Sequence, residues 1–344
     1  MSFSRPSIRL IGLLALTVLV GCRSATTGPE TASAPPPSAA GATFRVALLL
    51  PGSKDDQGWN QLAWEGLPLI ERELGARTSD QRATAAQALE SMRAYARDGY
   101  QLIFAHGSEY EDAARQAAKE FPQTDFVITS AEAAGENLAS IHWDLSDAAY
   151  LAGILAAGLS KTGRAGQLGG QDLAAVAEGF RAFERGARSL KPDFQVQTTY
   201  VGNWDDANLG KEKALALIGA GADVLFQNSD QAGRGAFLAA RESAGREVFV
   251  IGSNRNQNED YPDTVCASAV LDIPQAMLQI ARDVQSGDFQ PNHVYRENLA
   301  SGAVRLEINP KFRDRIPPET QAALEAAERA IKAGELDPLG DAPA

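Results

Sequence analysis

Three of the four tryptophans, Trp59, Trp143 and Trp204, fall where the hydrophobic pattern ends a predicted strand and opens a loop. Only Trp64 lies inside a predicted helix. The same exits carry Asn60, Asp144, Asn203, Asp206, Asn228, Asp230 and Asn254. Flat indoles beside a few amides and carboxylates suit a planar, polar small molecule, held by stacking and hydrogen bonds. The competing reading makes Trp143 and Trp204 plugs packed between loops. Catalytic chemistry finds little footing: no serine sits in a G-x-S-x-G elbow and no G-x-x-x-x-G-K-[ST] phosphate loop occurs. Gly166 to Gly170 lacks the dinucleotide spacing and reads as a tight turn. Asp55 and Asp56 are adjacent, which does not oppose them as an acid and a base. Metal is not expected, with two cysteines and three scattered histidines, His106, His142 and His293. No cofactor is implied.

The elements that must position these residues begin with Phe44 to Gly66. Val46 to Leu50 reads as a strand buried on both faces, Ser53 to Gly58 as a polar turn, and the chain from about Asn60 as a helix. The alternation continues. Arg82 to Arg97 is read as a helix, Tyr100 to Ala105 as a strand, Glu111 to Glu120 as a helix, and Phe126 to Thr129 and Leu138 to His142 as strands. It then repeats with helices over Asp147 to Leu159, Ala177 to Leu190, Gly210 to Gly219 and Phe237 to Ala244. The strands between them are Ala165 to Gly170, Gln195 to Val201, Asp223 to Phe226 and Val248 to Ile251. A strand at Val265 to Leu271, a helix at Ile273 to Gln285, a hairpin over Glu297 to Ile308 turning at Ser301-Gly302, and a helix at Pro318 to Ala333 close the chain. Two halves of alternating strand and helix predict doubly wound α/β sheets, whose ligands bind outside the carboxyl ends of the strands.

The 344 residues suffice for two domains of ordinary size, and a net charge of −12 argues against nucleic acid. Arg5 and Arg9 precede an apolar run, Leu10 to Val20, too short to span a bilayer, that ends in Leu19-Val20-Gly21-Cys22. This resembles a bacterial lipobox and implies cleavage before Cys22 and lipidation there. Cys266 then stands alone, so no internal disulfide is expected. Residues 23–42 are rich in Pro, Ser, Thr, Ala and Gly and read as a flexible tether. Together these predict a body tethered to a membrane without entering it.

Six segments in order, KDDQGWNQLAWEG, AAKEFPQTDFVITS, SDAAYLAGILAAGLSKTGRAGQLGG, GFRAFERGA, NWDDANLGKEKALALIGAGADVLF and VIGSN, resemble the basic membrane protein (PnrA-like) family of ABC-transporter substrate-binding lipoproteins. The resemblance covers about residues 44–310. It implies a type I periplasmic-binding-protein fold: two α/β lobes, three crossings near Asp144, Leu271-Asp272 and Leu299-Ala300, and a cleft that closes on ligand. The implied partition is a leader over 1–21, lipidated Cys22 and tether over 22–43, a first lobe of 44–143 with 272–299, a second of 144–271 with 300–310, and a C-terminal helix and tail over 311–344. Members of the family bind purine nucleosides or related bases between aromatics.

By position, Asp56, Trp59 and Asn60 match the family's D-x-x-F-N segment. Ser108 to Tyr110 fall at a second contributing loop, and Asn228 and Asp230 where the second lobe approaches ligand. Asp144, Trp204, Asn254 and Asp272 complete the expected site. This chain departs from the nucleoside binders in three places. Their I-G-V-D-S-D-Q reads Ile251-Gly252-Ser253-Asn254-Arg255-Asn256-Gln257 here, replacing the acid expected to accept ribose hydroxyls by an amide without charge. The family's frequent basic residue just after the S-A strand is missing, with Val270-Leu271-Asp272 in its place. Their Gly-Gly-Thr-Gly turn reads Asp230-Gln231-Ala232-Gly233. The resemblance therefore implies a monomeric solute receptor on the extracytoplasmic side of a bacterial membrane, feeding an ABC permease with a purine base, a nucleoside or a related planar heterocycle. The alternatives are a receptor that signals to a membrane partner without delivering cargo, and a nucleoside-processing enzyme.

Overall fold

A computed structural model describes residues 43–340, apart from residue 244. The expected leader and the lipidated Cys22 lie outside the described residues. The chain forms β1 (Arg45–Leu50), α1 (Trp59–Leu74), β2 (Arg77–Arg82), α2 (Ala85–Arg97), β3 (Leu102–His106), α3 (Glu111–Glu120), β4 (Asp125–Thr129) and β5 (Leu138–Trp143). Next come α4 (Leu145–Leu159), β6 (Arg164–Gly169), α5 (Ala174–Leu190), β7 (Gln195–Tyr200), α6 (Ala207–Gly219), β8 (Val224–Asn228), α7 (Asp230–Glu242), β9 (Phe249–Asn254) and β10 (Val265–Leu271). The chain ends with α8 (Ile273–Ser286), β11 (Val294–Glu297), β12 (Val304–Ile308) and α9 (Pro318–Lys332).

The strands form two six-stranded sheets, ordered β11-β5-β4-β3-β1-β2 and β12-β10-β9-β8-β6-β7. All pairings are parallel except β10 with β12. Parallel strands covered on both faces need apolar side chains on both, and β1 shows the division. Val46, Leu48 and Leu50 meet Leu62, Leu67 and Ile70 of α1 on one face, while Ala47 and Leu49 share the opposite core with Met92 of α2 and Ala114 of α3. In the second lobe α4 and α5 cover one face, and α6 and α7 the other. Helix α4 is buried almost all round because α9 packs on its outer side, with Thr320 against Gly158.

The chain passes between sheets after β5, after β10, and between β11 and β12. Asp147, in the first turn of α4, accepts the Leu299 N–H at 3.0 Å, pinning the first passage to the third. Burial pushes its carboxyl up to about 6.

Four elements differ from expectation. The sequence Arg77–Arg82, RTSDQR, is a strand that its composition conceals, since an edge strand without apolar residues shows no alternation. The helix read from Arg82 begins at Ala85, where Thr84 and Gln87 form a capping box. The expected hairpin over Glu297 to Ile308 does not form: β11 pairs with β5 in the first sheet and β12 with β10 in the second, so Ser301-Gly302 lies in a passage between lobes. The helix expected from Phe237 begins at Asp230, which brings that residue from a loop to a helix terminus.

Candidate functional site between the sheets

The carboxyl ends of β1 and β3 in one lobe and of β8 and β9 in the other face each other through the loops that follow them. Asp56 closes the loop after β1. One of its oxygens accepts N–H groups from Gly58 at 2.9 Å and Gln61 at 3.0 Å; the other accepts the Asn60 N–H at 2.9 Å and the Asn60 side-chain amide at 2.7 Å. It thereby satisfies the first turn of α1, whose N–H groups have no partner within the helix. Asn60 also accepts the Gly52 N–H at 3.1 Å, so its amide is used on both sides. Asp56 and Asn60 are buried and shape the loop.

Trp59 is the first residue of α1. Its N–H donates across the lobes to Asp230 Oδ1 at 3.2 Å. Its carbonyl lies 3.1 Å from His106 Nε2, and its indole stacks on the His106 ring with centroids 4.2 Å apart and planes 25° from parallel. Opposite, Asp230 starts α7 in the left-handed region, with φ 45°, and its Oδ1 also accepts the Asn254 side-chain amide at 3.0 Å. Asn254 ends β9 with φ 66°. Two adjacent left-handed side chains that are not glycine mark a site where backbone strain is held in place by its surroundings. The approach is close: a Cβ on Gly58 would lie 2.2 Å from Asp230 Oδ1.

Trp204 joins this centre from the side. Its carbonyl accepts the Ala232 N–H at 2.9 Å, and its ring covers Gly170, where a Cβ would meet it at 2.1 Å. Gly170 in turn donates to the Asn228 carbonyl at 2.9 Å. Beneath this, Gln227 accepts from the Ser229 N–H at 3.1 Å and donates to Gln257 at 3.0 Å, fixing the β8–α7 turn.

The structure thus gathers Asp56, Trp59, Asn60, Asp230 and Asn254 into one continuous set, with Asn228 and Trp204 linked to it through Gly170 and the first turn of α7. It does not bring the other expected residues there. Tyr110 is fully buried among Met92, Ala114 and Ala117, with its hydroxyl donating to the Ala83 carbonyl. It is a core residue of the first lobe and not a ligand contact, because the short 3-10 helix Ser108–Tyr110 turns it inward. Ser108 is exposed. Asp144 and Asp272 sit at passages between the lobes, paired with His142 at 3.1 Å and Arg305 at 3.3 Å. Cys266 is buried and inert, its thiol pushed up to about 12.

His106, one of the three scattered histidines, belongs to this centre although its place there was not expected from the sequence. The strand LIFAH is apolar up to its last residue, and a ring ending a buried strand beside the GWN loop was the available signal. Its Nδ1 lies 2.9 Å from the Thr129 hydroxyl. Full burial drives its pKa down to about 3 from 6.5, so the ring is neutral in the folded protein. The unfolded chain takes up that proton below about pH 6.5, so this residue favours unfolding progressively as pH falls from 6.5 toward 3. His106→Phe removes the effect. By urea unfolding the variant should gain about 3 kcal/mol on wild type between pH 6.5 and pH 4, relative to their difference at pH 7. An unchanged difference would show that the histidine is not held neutral.

Asp230 is shifted the other way. Burial, then the nearby Asp56, push its carboxyl up to about 7. What results is a buried centre with one indole plate and one carboxyl whose pKa is raised to about 7. It also has amide groups on the second lobe. Among the described residues no cluster of three or more His, Cys, Asp or Glu is placed to hold a metal ion. Such a centre can stack a ring and accept hydrogen bonds from it.

Residues 43–335 match the family model of PnrA-like ABC transporter substrate-binding proteins. The chain belongs to that family. Among the relatives of this PnrA-like chain, a nucleoside-binding ABC transporter protein of Lactococcus lactis is 28% identical over 324 residues, covering 88% of this chain and 91% of its own. A purine-binding protein of Brucella abortus is 26% identical over 300 residues, covering 86% and 83%. A crystal structure of an ABC transporter solute-binding protein from Aeropyrum pernix superposes with a TM-score of 0.79 at 22% identity, over 86% of this chain and 93% of that one. That likeness is one of fold, the two-lobed type I periplasmic-binding-protein fold expected from the sequence.

Proposed function

We propose that this protein is a lipid-anchored extracytoplasmic receptor that closes its two lobes on a planar, polar heterocycle, a purine base first and its nucleoside second, and presents it to an ABC permease. The observation that carries the reading is the contact between the Trp59 N–H of one lobe and the Asp230 carboxylate of the other. With the indole plate beside the second-lobe acceptors, a ring bound there would touch both lobes and favour the closed form. The nucleoside- and purine-binding relatives support the ligand class. Asn254 spends its amide N–H on Asp230 and presents only an uncharged amide oxygen as acceptor, a weaker partner for ribose hydroxyls than a carboxylate, which favours a base over a nucleoside.

The test is thermal unfolding of the purified protein, first denatured and refolded to remove carried ligand, against purine bases, nucleosides, pyrimidines and sugars. A ligand at 100 times its dissociation constant adds about 2.7 kcal/mol. Stabilisation by bases supports the reading; silence across the panel removes the ligand class. Closure has its own check. Gly58→Ala places a methyl where the Asp230 carboxylate now sits, so this variant should keep both lobes folded yet show a larger radius of gyration by small-angle scattering with base present. Equal radii for variant and wild type would refute closure through this contact. Lipidation of Cys22 is read directly by mass spectrometry of the membrane-extracted protein.

A further inference from the structure

His106 ends β3 on the face that also carries Leu102 and Phe104, the face covered by α1, so its ring lies beneath the first residue of that helix. Three contacts hold it there. Its ring lies flat under the Trp59 indole, its Nε2 reaches the Trp59 carbonyl, and its Nδ1 meets the Thr129 hydroxyl on the neighbouring strand, where His106 and Thr129 are register partners. A carbonyl oxygen only accepts. Nε2 therefore carries the hydrogen, Nδ1 is the acceptor, and the threonine hydroxyl donates to it. Both ring nitrogens are committed, and the imidazole can neither turn over nor slide without leaving a buried polar atom unpaired.

We propose that His106 is a positioning residue for ligand: it acts through Trp59, as the fixed backing against which the indole is held flat in the cleft. This rests on the reading of Trp59 as the plate for a purine ring. One indole face is occupied by the imidazole, so a ligand ring can use only the other, giving a stack of ligand, Trp59 and His106. An aliphatic side chain at position 106 would leave a gap under the indole and free it to tilt. An aromatic one would keep the backing while giving up the hydrogen bonds.

The test is a double-mutant cycle on the affinities for adenine, guanine and hypoxanthine, measured by calorimetry. His106→Ala should weaken base binding at least about tenfold in the wild-type background and less than about twofold when Trp59 is already alanine, since base–aromatic stacking is of that size. His106→Phe should restore affinity to within about threefold of wild type. A near-ultraviolet circular dichroism band present in ligand-free wild type and absent in Trp59→Phe reports the held indole; it should vanish in His106→Ala and persist in His106→Phe. Equal losses in both backgrounds would show a general structural role and overturn the proposal. A phenylalanine variant as weak as the alanine one would overturn it too. Should His106→Ala not fold, the Phe variant and Thr129→Val, which removes the Nδ1 partner alone, carry the same comparison. Bases that bind with His106 dispensable would overturn this inference and leave the proposed function standing; wild type silent toward all three would overturn both.

Discussion

Trp59→Ala is expected to abolish most of the stabilisation that purine bases confer, lowering their affinity by roughly 5- to 150-fold, the equivalent of about 1–3 kcal/mol per stacked base. The effect should exceed that of removing either amide, because the amide groups of Asn60 and Asn254 already donate within the protein, while the indole is only partly buried. Trp59→Phe should retain most of the affinity. The backbone N–H that meets Asp230 survives both substitutions, so closure without ligand should change little. Trp204→Ala makes the useful contrast: its ring is spent covering Gly170, and its loss should cost stability more than ligand affinity. Calorimetric titration with adenine against all three variants decides the matter. If Trp59→Ala bound adenine as wild type does, the stacked-ring site would have to be sought elsewhere.

The second large effect is expected at Asp230. In the unfolded chain this carboxyl ionises near 3.8, whereas in the folded protein burial and Asp56 keep its proton on to about pH 7. Between those values the folded state binds the extra proton, so stability from this residue falls as pH rises through the window, by up to about 4 kcal/mol. Asp230→Asn keeps an oxygen for the Trp59 N–H and never ionises. The variant should be more stable than wild type above pH 7 and gain little below pH 4. His106 slopes in the opposite sense over nearly the same range, so wild type should look flat where each single variant is steep. Chemical unfolding at pH 4.5, 6 and 8 reads this directly. Parallel profiles for wild type and Asp230→Asn would mean that the carboxyl ionises as an exposed one does.

Much of the fold was legible because the buried parallel strands are nearly continuous apolar runs, such as VALLL and LIFA, separated by helices with a clear 3.6-residue period. What escaped were elements whose partners lie far along the chain. RTSDQR becomes a strand only by docking on β1, and the segments either side of Ser301-Gly302 look like a hairpin until the two sheets claim one each. In the site, Trp59 and Asp230 could be singled out as residue types at strand exits. Their contact could not, since nothing local relates positions 171 residues apart. Tyr110 misled because an aromatic beside a ligand loop can face either way, and here it caps the core. His106 was missed because a buried histidine looks like any other until its neighbours are known.

The passage of the chain back and forth between lobes also governs when this protein can fold. The first lobe lacks an edge strand until residue 297 has been made, and the second lobe lacks its edge strand until residue 308 and the cover of α4 until residue 332, so each waits for distant chain. If the proposed export holds, late completion of the second lobe would keep part of the chain open while it crosses the membrane.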